Sequence, residues 1–283
     1  MMGRHRLLDA LSHLVLCIGV LITVFPIYVA LVGASHTAQE MAQSPIPLWF
    51  GHETWNNLKT VLWGEGPGVT TQVPVYRMLW VSCVTAISIA VGKIIISLLS
   101  AFAIVYFRFP FRKAVFWGIF VTLMLPVEVR IVPTYQVIAD FHMVNSFAGL
   151  TIPLIASATA TFLFRQFFLT VPDELAEASK MDGATPMRFF WDVLLPLSRT
   201  TIAALFVIQF IYGWNQYLWP LLISTEERMY PIVMGIRSMT AGADSQVQWN
   251  LVMATALLAL LPPLLVVLCM QKWFIKGLVD TEK

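Results

Sequence analysis

Six apolar runs, near residues 11–34, 78–105, 114–133, 146–168, 200–223 and 249–271, restrict what this chain can fold into more than any other feature. A helix needs about 20 apolar residues to cross a hydrocarbon core, and every one of these runs reaches that length. Apolar residues cover nearly the whole circumference of each run, where a soluble helix would show one stripe. Inside lipid every backbone donor and acceptor must be satisfied within the protein, which leaves bundled helices or closed barrels. The period-two alternation of barrel strands is absent, so the expectation is an all-α polytopic membrane protein with six transmembrane helices. Only 12% of the 283 residues are charged and 58% are hydrophobic, against roughly 25% charged in a soluble domain. Little remains for a separate soluble domain, and residues 1–283 are expected to form one transmembrane domain.

A formal charge of +2 is too balanced to suggest a nucleic-acid partner, so the charges matter by position. The first run follows Arg4 and Arg6 but continues past Pro26 to Gly33, too long for the apolar stretch of a signal peptide, and reads as a retained helix. With the amino terminus inside, the inner segments carry twelve basic residues: Arg4, Arg6, Arg108, Arg112, Lys113, Arg165, Lys180, Arg188, Arg199, Lys272, Lys276 and Lys283. The outer segments carry five, Lys59, Arg77, Arg130, Arg228 and Arg237. That asymmetry places both termini in the cytoplasm. Cys17, Cys83 and Cys269 all fall in apolar runs and read as small packing residues rather than disulfide partners.

The longest outer segment, Ser35 to Tyr76, mixes prolines and glycines with Trp49, Phe50, Trp55 and Trp63. It reads as an irregular loop whose aromatics anchor at the membrane interface, although a partner-binding surface would have the same composition. The inner segment of about 171–199 reads differently. Pro172, Asp173 and Glu174 suit the first turn of a helix running to about Met181. Gly183 supplies a turn, Thr185 and Pro186 open a second helix, and Pro196 is expected to end it. The product is a helix-turn-helix with Glu174, Glu177 and Lys180 available to solvent or a partner.

Glu177-Ala178-Ser179, Asp182-Gly183-Ala184, then Val193, Leu195 and Pro196 resemble the EAA loop of binding-protein-dependent ABC importers, E-A-A-x3-G-x9-I-x-L-P, with every gap correct. Ser179 and Val193 are mild departures from that pattern. Trp214-Asn215-Gln216-Tyr217-Leu218-Trp219-Pro220 is similar to the W-N-x-[FY]-L-W-P stretch of the maltose-type, carbohydrate-uptake branch, and six spans fit that branch. Within it the chain looks most like permease subunits of sn-glycerol-3-phosphate importers. Its final residues, Val279 to Lys283, depart from the tail common in the family.

The resemblance implies a non-catalytic inner-membrane permease subunit forming half of a translocation path. A second permease subunit, two ATPase subunits and a periplasmic solute-binding protein would be its partners. Glu177, Ala178, Ser179, Asp182, Gly183, Ala184, Leu195 and Pro196 would couple it to the ATPase. ATP would be used by the partners, with no cofactor bound by this chain. The loop from about Thr225 to Val247 would face the binding protein. The implied solute is sn-glycerol-3-phosphate or a related phosphodiester, the alternative a neutral sugar or oligosaccharide.

The residues themselves support no enzyme. A phosphate-binding loop would need a glycine five residues before Gly92-Lys93, where Ile87 stands. The five histidines have no metal-ligand spacing. Ser35 beside His36 is a weak echo of a nucleophile and base, because adjacent helical side chains do not face each other. An ion-coupled secondary transporter is the stronger rival, since Pro26, Pro126, Pro133 and Pro153 could break spans. Lys93, the one charge deep in a run, should face the bundle interior or a wet cavity. It could line the path for an anionic solute, or pair with a carboxylate such as Glu128 or one on a sister subunit. Asn215, Gln216 and Tyr217 could bind a polyol along that path, although helix packing is the favoured role for this stretch.

Overall fold

The computed structural model describes residues 2–64, 73–124, 127–241 and 247–279. Among these residues the chain is helical with no strand. In chain order the helices are α1 (Met2–Gly33), α2 (Ala38–Met41), α3 (Thr54–Trp63), α4 (Val75–Tyr106), α5 (Arg112–Met124), α6 (Val127–Asp140), α7 (Phe147–Thr151) and α8 (Ala158–Thr170). They continue with α9 (Asp173–Met181), α10 (Pro186–Phe189), α11 (Leu195–Leu197), α12 (Arg199–Trp214), α13 (Leu218–Ile223), α14 (Ile232–Thr240) and α15 (Trp249–Val279). Three segments, Leu11–Gly33, Val75–Tyr106 and Trp249–Gln271, are long and apolar enough to cross a membrane. Two further candidates are bent: Phe147–Leu154 with Ala158–Thr170 at 50°, and Pro186–Leu197 with Arg199–Trp214 at 72°. The expected span at 114–133 falls across α5 and α6, and residues 125–126, including Pro126, lie outside the described residues.

Two of the apolar runs are bent rather than continuous helices. The run at 146–168 is interrupted because Pro153 sits in a 3-10 turn, Ile152–Leu154, and Ser157 starts α8 by accepting a hydrogen bond from the Ala160 amide at 3.2 Å. The run at 200–223 breaks after Trp214, where the Gln216 side chain donates to the Tyr212 carbonyl at 3.2 Å. Pro220 is accommodated in the first turn of α13, whose amides lack helical partners anyway. The outer segment is not wholly irregular. Thr37 and Glu40 form a capping box on α2, and α3 is closed by left-handed Gly64. Its Trp49, Phe50, Trp55 and Trp63 are all exposed. The cysteines are free, with Cys17 and Cys269 exposed on this chain rather than packed.

The chain divides into two compact units. The first comprises residues 1–77 and 235–261 and contains a buried polar knot at the end of α1. The Ser35 hydroxyl donates to the Val32 carbonyl at 2.6 Å and accepts from the Gly51 amide at 2.8 Å. Asn57 donates to the carbonyls of Ala34 and His36 at 2.9 and 2.8 Å, and accepts from Asn250 at 3.1 Å. Ser35 is therefore a fully engaged structural residue, which removes the basis for reading it as a nucleophile.

The second unit comprises residues 78–234 and 262–283 and is built on two apolar clusters. One joins Phe102 of α4, Phe164 and Phe168 of α8, Phe189, Phe190 and Leu194 of the inner segment, and Leu205 of α12. The other gathers Val81, Ile89, Ile138, Leu150, Leu154 and Trp219. Trp219 is buried and donates its indole N–H to the Gly149 carbonyl at 3.0 Å. Gly213 permits close contact of α12 with α4, because a Cβ there would lie 2.9 Å from the Ala86 Cα.

Candidate functional site

The inner helix-turn-helix forms largely as its sequence dictates. Asp173 and Glu174 occupy the first turn of α9 and Lys180 the last, so each charge complements the helix dipole. Gly183 adopts φ +72°, with its amide bonded to the Lys180 carbonyl and the Ala184 amide to the Ser179 carbonyl, both at 3.0 Å. This pair of bonds is the Schellman closure that favours glycine. The Thr185 hydroxyl accepts from the Arg188 amide at 3.3 Å and caps α10, with Pro186 at its first position.

Pro196 does not end the second helix as expected. The chain widens into a π turn over Phe190–Leu194 and resumes as α11, so Pro196 lies inside the last turn. A wider turn is one way for a helix to accept a proline that has no N–H to give. Ser198, fully buried, then donates to the Leu194 carbonyl at 2.6 Å where the chain bends into α12.

Phe189, Phe190 and Leu194 fasten the hairpin to α4, α8 and α12, while α9 buries none of its residues. Glu174, Glu177, Ala178, Lys180, Asp182 and Gly183 are exposed, and Ser179 and Ala184 are half-buried. Leu195 and Pro196 sit apart from that outer face, and Leu195 packs against the aromatic cluster as part of the anchor. Met181, 84% exposed at the hairpin tip, escaped the motif reading; its signal was an apolar side chain at the end of a short helix rich in charge.

A second group of polar side chains forms around Lys93, which is only 6% exposed and lies far from both ends of α4. Its ammonium donates to the Gln209 side-chain oxygen at 3.0 Å and lies 3.5 Å from the centroid of the Tyr212 ring. Gln209 and Tyr212 are three residues apart and thus share a face of α12. The positive charge of Arg130 on α6 acts on Lys93 from farther away. Among the described residues no carboxylate pairs with Lys93, and the side chain of Glu128 lies outside them. Asn215, Gln216 and Tyr217 are not brought to this ammonium: Asn215 is exposed and Gln216 closes the end of α12. Sequence reading missed Gln209 and Tyr212, although Gln209 is the only amide side chain within α12.

The exposed hairpin is thus anchored to α4 and α12, the same two helices that enclose a buried cation held by neutral groups. Residues 93–280 match the family model of the binding-protein-dependent transport system inner membrane component. The chain belongs to this family. The permease is 58% identical over its full length to the sn-glycerol-3-phosphate transport system permease protein UgpE of Pectobacterium atrosepticum, with all of both chains covered. It is 55% identical to the protein of the same name from Brucella melitensis, again over all of both chains. A solved bacterial ABC transporter involved in import of the acidic polysaccharide alginate has a chain of like fold, with TM-score 0.77 and 19% identity. The match covers 95% of the permease and 97% of that chain. The permease is thus a multi-pass protein of the inner membrane and a transport subunit rather than an enzyme.

Proposed function

We propose that this permease forms half of the path by which an ATP-driven importer takes up sn-glycerol-3-phosphate or a closely related phosphodiester. The observation that carries the substrate class is the Lys93 ammonium, buried against Gln209 and Tyr212 without a carboxylate partner among the described residues. A cation at bilayer depth costs about 2.5–3.5 kcal/mol to insert and faces an interior or wet cavity. An anionic solute passing it would gain what a neutral sugar could not. The full-length relatives named for sn-glycerol-3-phosphate transport support the same reading.

In this reading the chain crosses the membrane six times with both termini in the cytoplasm. A second permease subunit completes the path, a periplasmic binding protein delivers solute, and two ATPase subunits dock on the hairpin. Glu177, Ala178, Asp182 and Gly183 form the docking face, with Met181 as its apolar tip. The permease binds no cofactor of its own and the partners use ATP. Uptake of labelled sn-glycerol-3-phosphate and of a neutral sugar by membranes containing the whole complex tests the proposal. Lys93→Met should lower phosphate-ester uptake tenfold or more, on the order of one lost charge contact, with Lys93→Arg retaining more. Normal phosphate-ester uptake by an assembled Lys93→Met complex would overturn the role of Lys93, and equal uptake of the neutral sugar would overturn the substrate class. A cysteine at Lys180 labelled by an impermeant reagent from the periplasm would overturn the topology.

A further inference from the structure

We infer that the end of the second unit nearest the coupling hairpin holds an anionic phospholipid by its phosphate. A cleft of about 410 Å³ opens where α4, α5 and α8 meet. Arg112, Lys113 and Arg165 all line it, accompanied by Gln166, and none of its lining residues is acidic. Arg112 and Lys113 occupy the first turn of α5, which contains no carboxylate. Cations at that position oppose the helix dipole, so the turn is electrostatically incomplete without an anion. Arg165 lies over the Phe116 ring, its guanidinium carbon 4.6 Å from the centroid. Among the described residues Arg112 donates to the Val105 carbonyl, at 3.4 Å. Among the described residues none of the three cations forms an ion pair.

The remaining wall favours a lipid over a free anion. Trp117 and Leu169 line the same cleft with most of their surfaces exposed, giving an apolar flank beside the charges. The segment leading into α5 reads Phe107-Arg108-Phe109-Pro110-Phe111-Arg112-Lys113, with aromatic and basic residues interleaved as at a membrane interface. Phe111 has φ +60° and is 82% exposed, a placement that suits insertion among acyl chains and makes little sense in water. Basic pockets between spans at the cytoplasmic side are suited to lipid head groups. The inner-leaflet assignment rests on the proposed topology, which the Lys180 labelling tests separately. The lipid contact is read without transport and so stands or falls independently of the substrate.

The test uses the assembled importer in nanodiscs of phosphatidylcholine containing a minor fraction of phosphatidylglycerol or cardiolipin, with retained lipid measured by native mass spectrometry. The wild type should enrich the anionic lipid, and neutralising each cation with Arg112→Gln, Lys113→Gln or Arg165→Gln should weaken retention about fivefold. Arg112→Lys combined with Arg165→Lys keeps the charge and should retain most of it, which separates loss of charge from loss of folding. Millimolar inorganic phosphate should leave retention unchanged. Displacement by phosphate would show a free-anion site and overturn the lipid assignment. Equal retention by the wild type and an assembled triple Gln variant would overturn the site itself.

Discussion

Replacing Gln209 with leucine isolates the contact on which the intramembrane reading depends. The substitution nearly conserves volume but removes the oxygen that accepts from Lys93 at 3.0 Å. A hydrogen bond to a charged group contributes about 1.5–3 kcal/mol, and the Tyr212 ring at 3.5 Å adds about 2 kcal/mol when desolvated. Together these are of the same size as the roughly 2.5–3.5 kcal/mol needed to bring the ammonium to that depth. Gln209→Leu should therefore destabilise the permease by about 1.5–3 kcal/mol while Lys93 is present. In a Lys93→Met background the same change removes an amide that has lost its donor, and should cost nothing or restore stability. Equilibrium unfolding of the four proteins in lipid–SDS mixed micelles gives the coupling energy directly. A coupling energy near zero, with Gln209→Leu equally costly in both backgrounds, would show that Gln209 does not hold the ammonium.

Gly183→Asp should abolish uptake while leaving membrane insertion intact, because a side chain at φ +72° costs about 1–2 kcal/mol and re-aims the exposed face of α9. Gly183→Asn, better suited to that backbone region, should retain more uptake; equal loss would point away from the turn. Thr185→Ala removes the cap of α10 and should cost about 1 kcal/mol, read as faster proteolysis of the hairpin. The polar knot at the end of α1 should be pH-dependent. His36 has acceptors at both ring nitrogens, the Trp49 carbonyl at 2.8 Å and Glu40 at 2.9 Å, and the Trp49 bond foremost raises its pKa above 6.5. Its contribution is full below 6.5 and lost as pH rises through the raised value, whereas that of Glu40, whose pKa is lowered mainly by the Thr37 amide, is lost only in acid. Amide exchange around Trp49–Gly51 should therefore accelerate as the pH rises above 6.5 beyond its intrinsic dependence, and His36→Ala should flatten that excess.

The hairpin was legible in the sequence because its signals are local: a proline and two acids at a helix start, a glycine at the turn, a threonine-proline pair at the next start. The Lys93 cluster was only half legible. The charge stood out, but its partners lie on another helix 116 residues away, and a single sequence contains no register between helices. A carboxylate partner and a place on the path were equal expectations for Lys93; among the described residues Gln209 and Tyr212 hold it through a neutral acceptor and a ring face. The break near Pro153 had a proline to announce it, whereas that near Asn215 was hidden because an apolar run has the same composition whether it continues or bends. Pro196 misled for the opposite reason, since a π turn let the helix pass a residue that usually stops one.

The 72° bend at Ser198 sets the hairpin and α12 end to end with no intervening loop. Gln209 stands ten residues beyond Arg199, about 15 Å along a rigid rod at helical rise. A push on the second helix of the hairpin would therefore meet no loop before α12, with Phe189, Phe190 and Leu194 as the fulcrum, the hairpin as the short arm, and the helix bearing Gln209 and Tyr212 as the long one. A movement of an ångström or two at the membrane surface would reach the buried ammonium as a change in angle. Any residue that softened the bend would disconnect the two ends while leaving each intact.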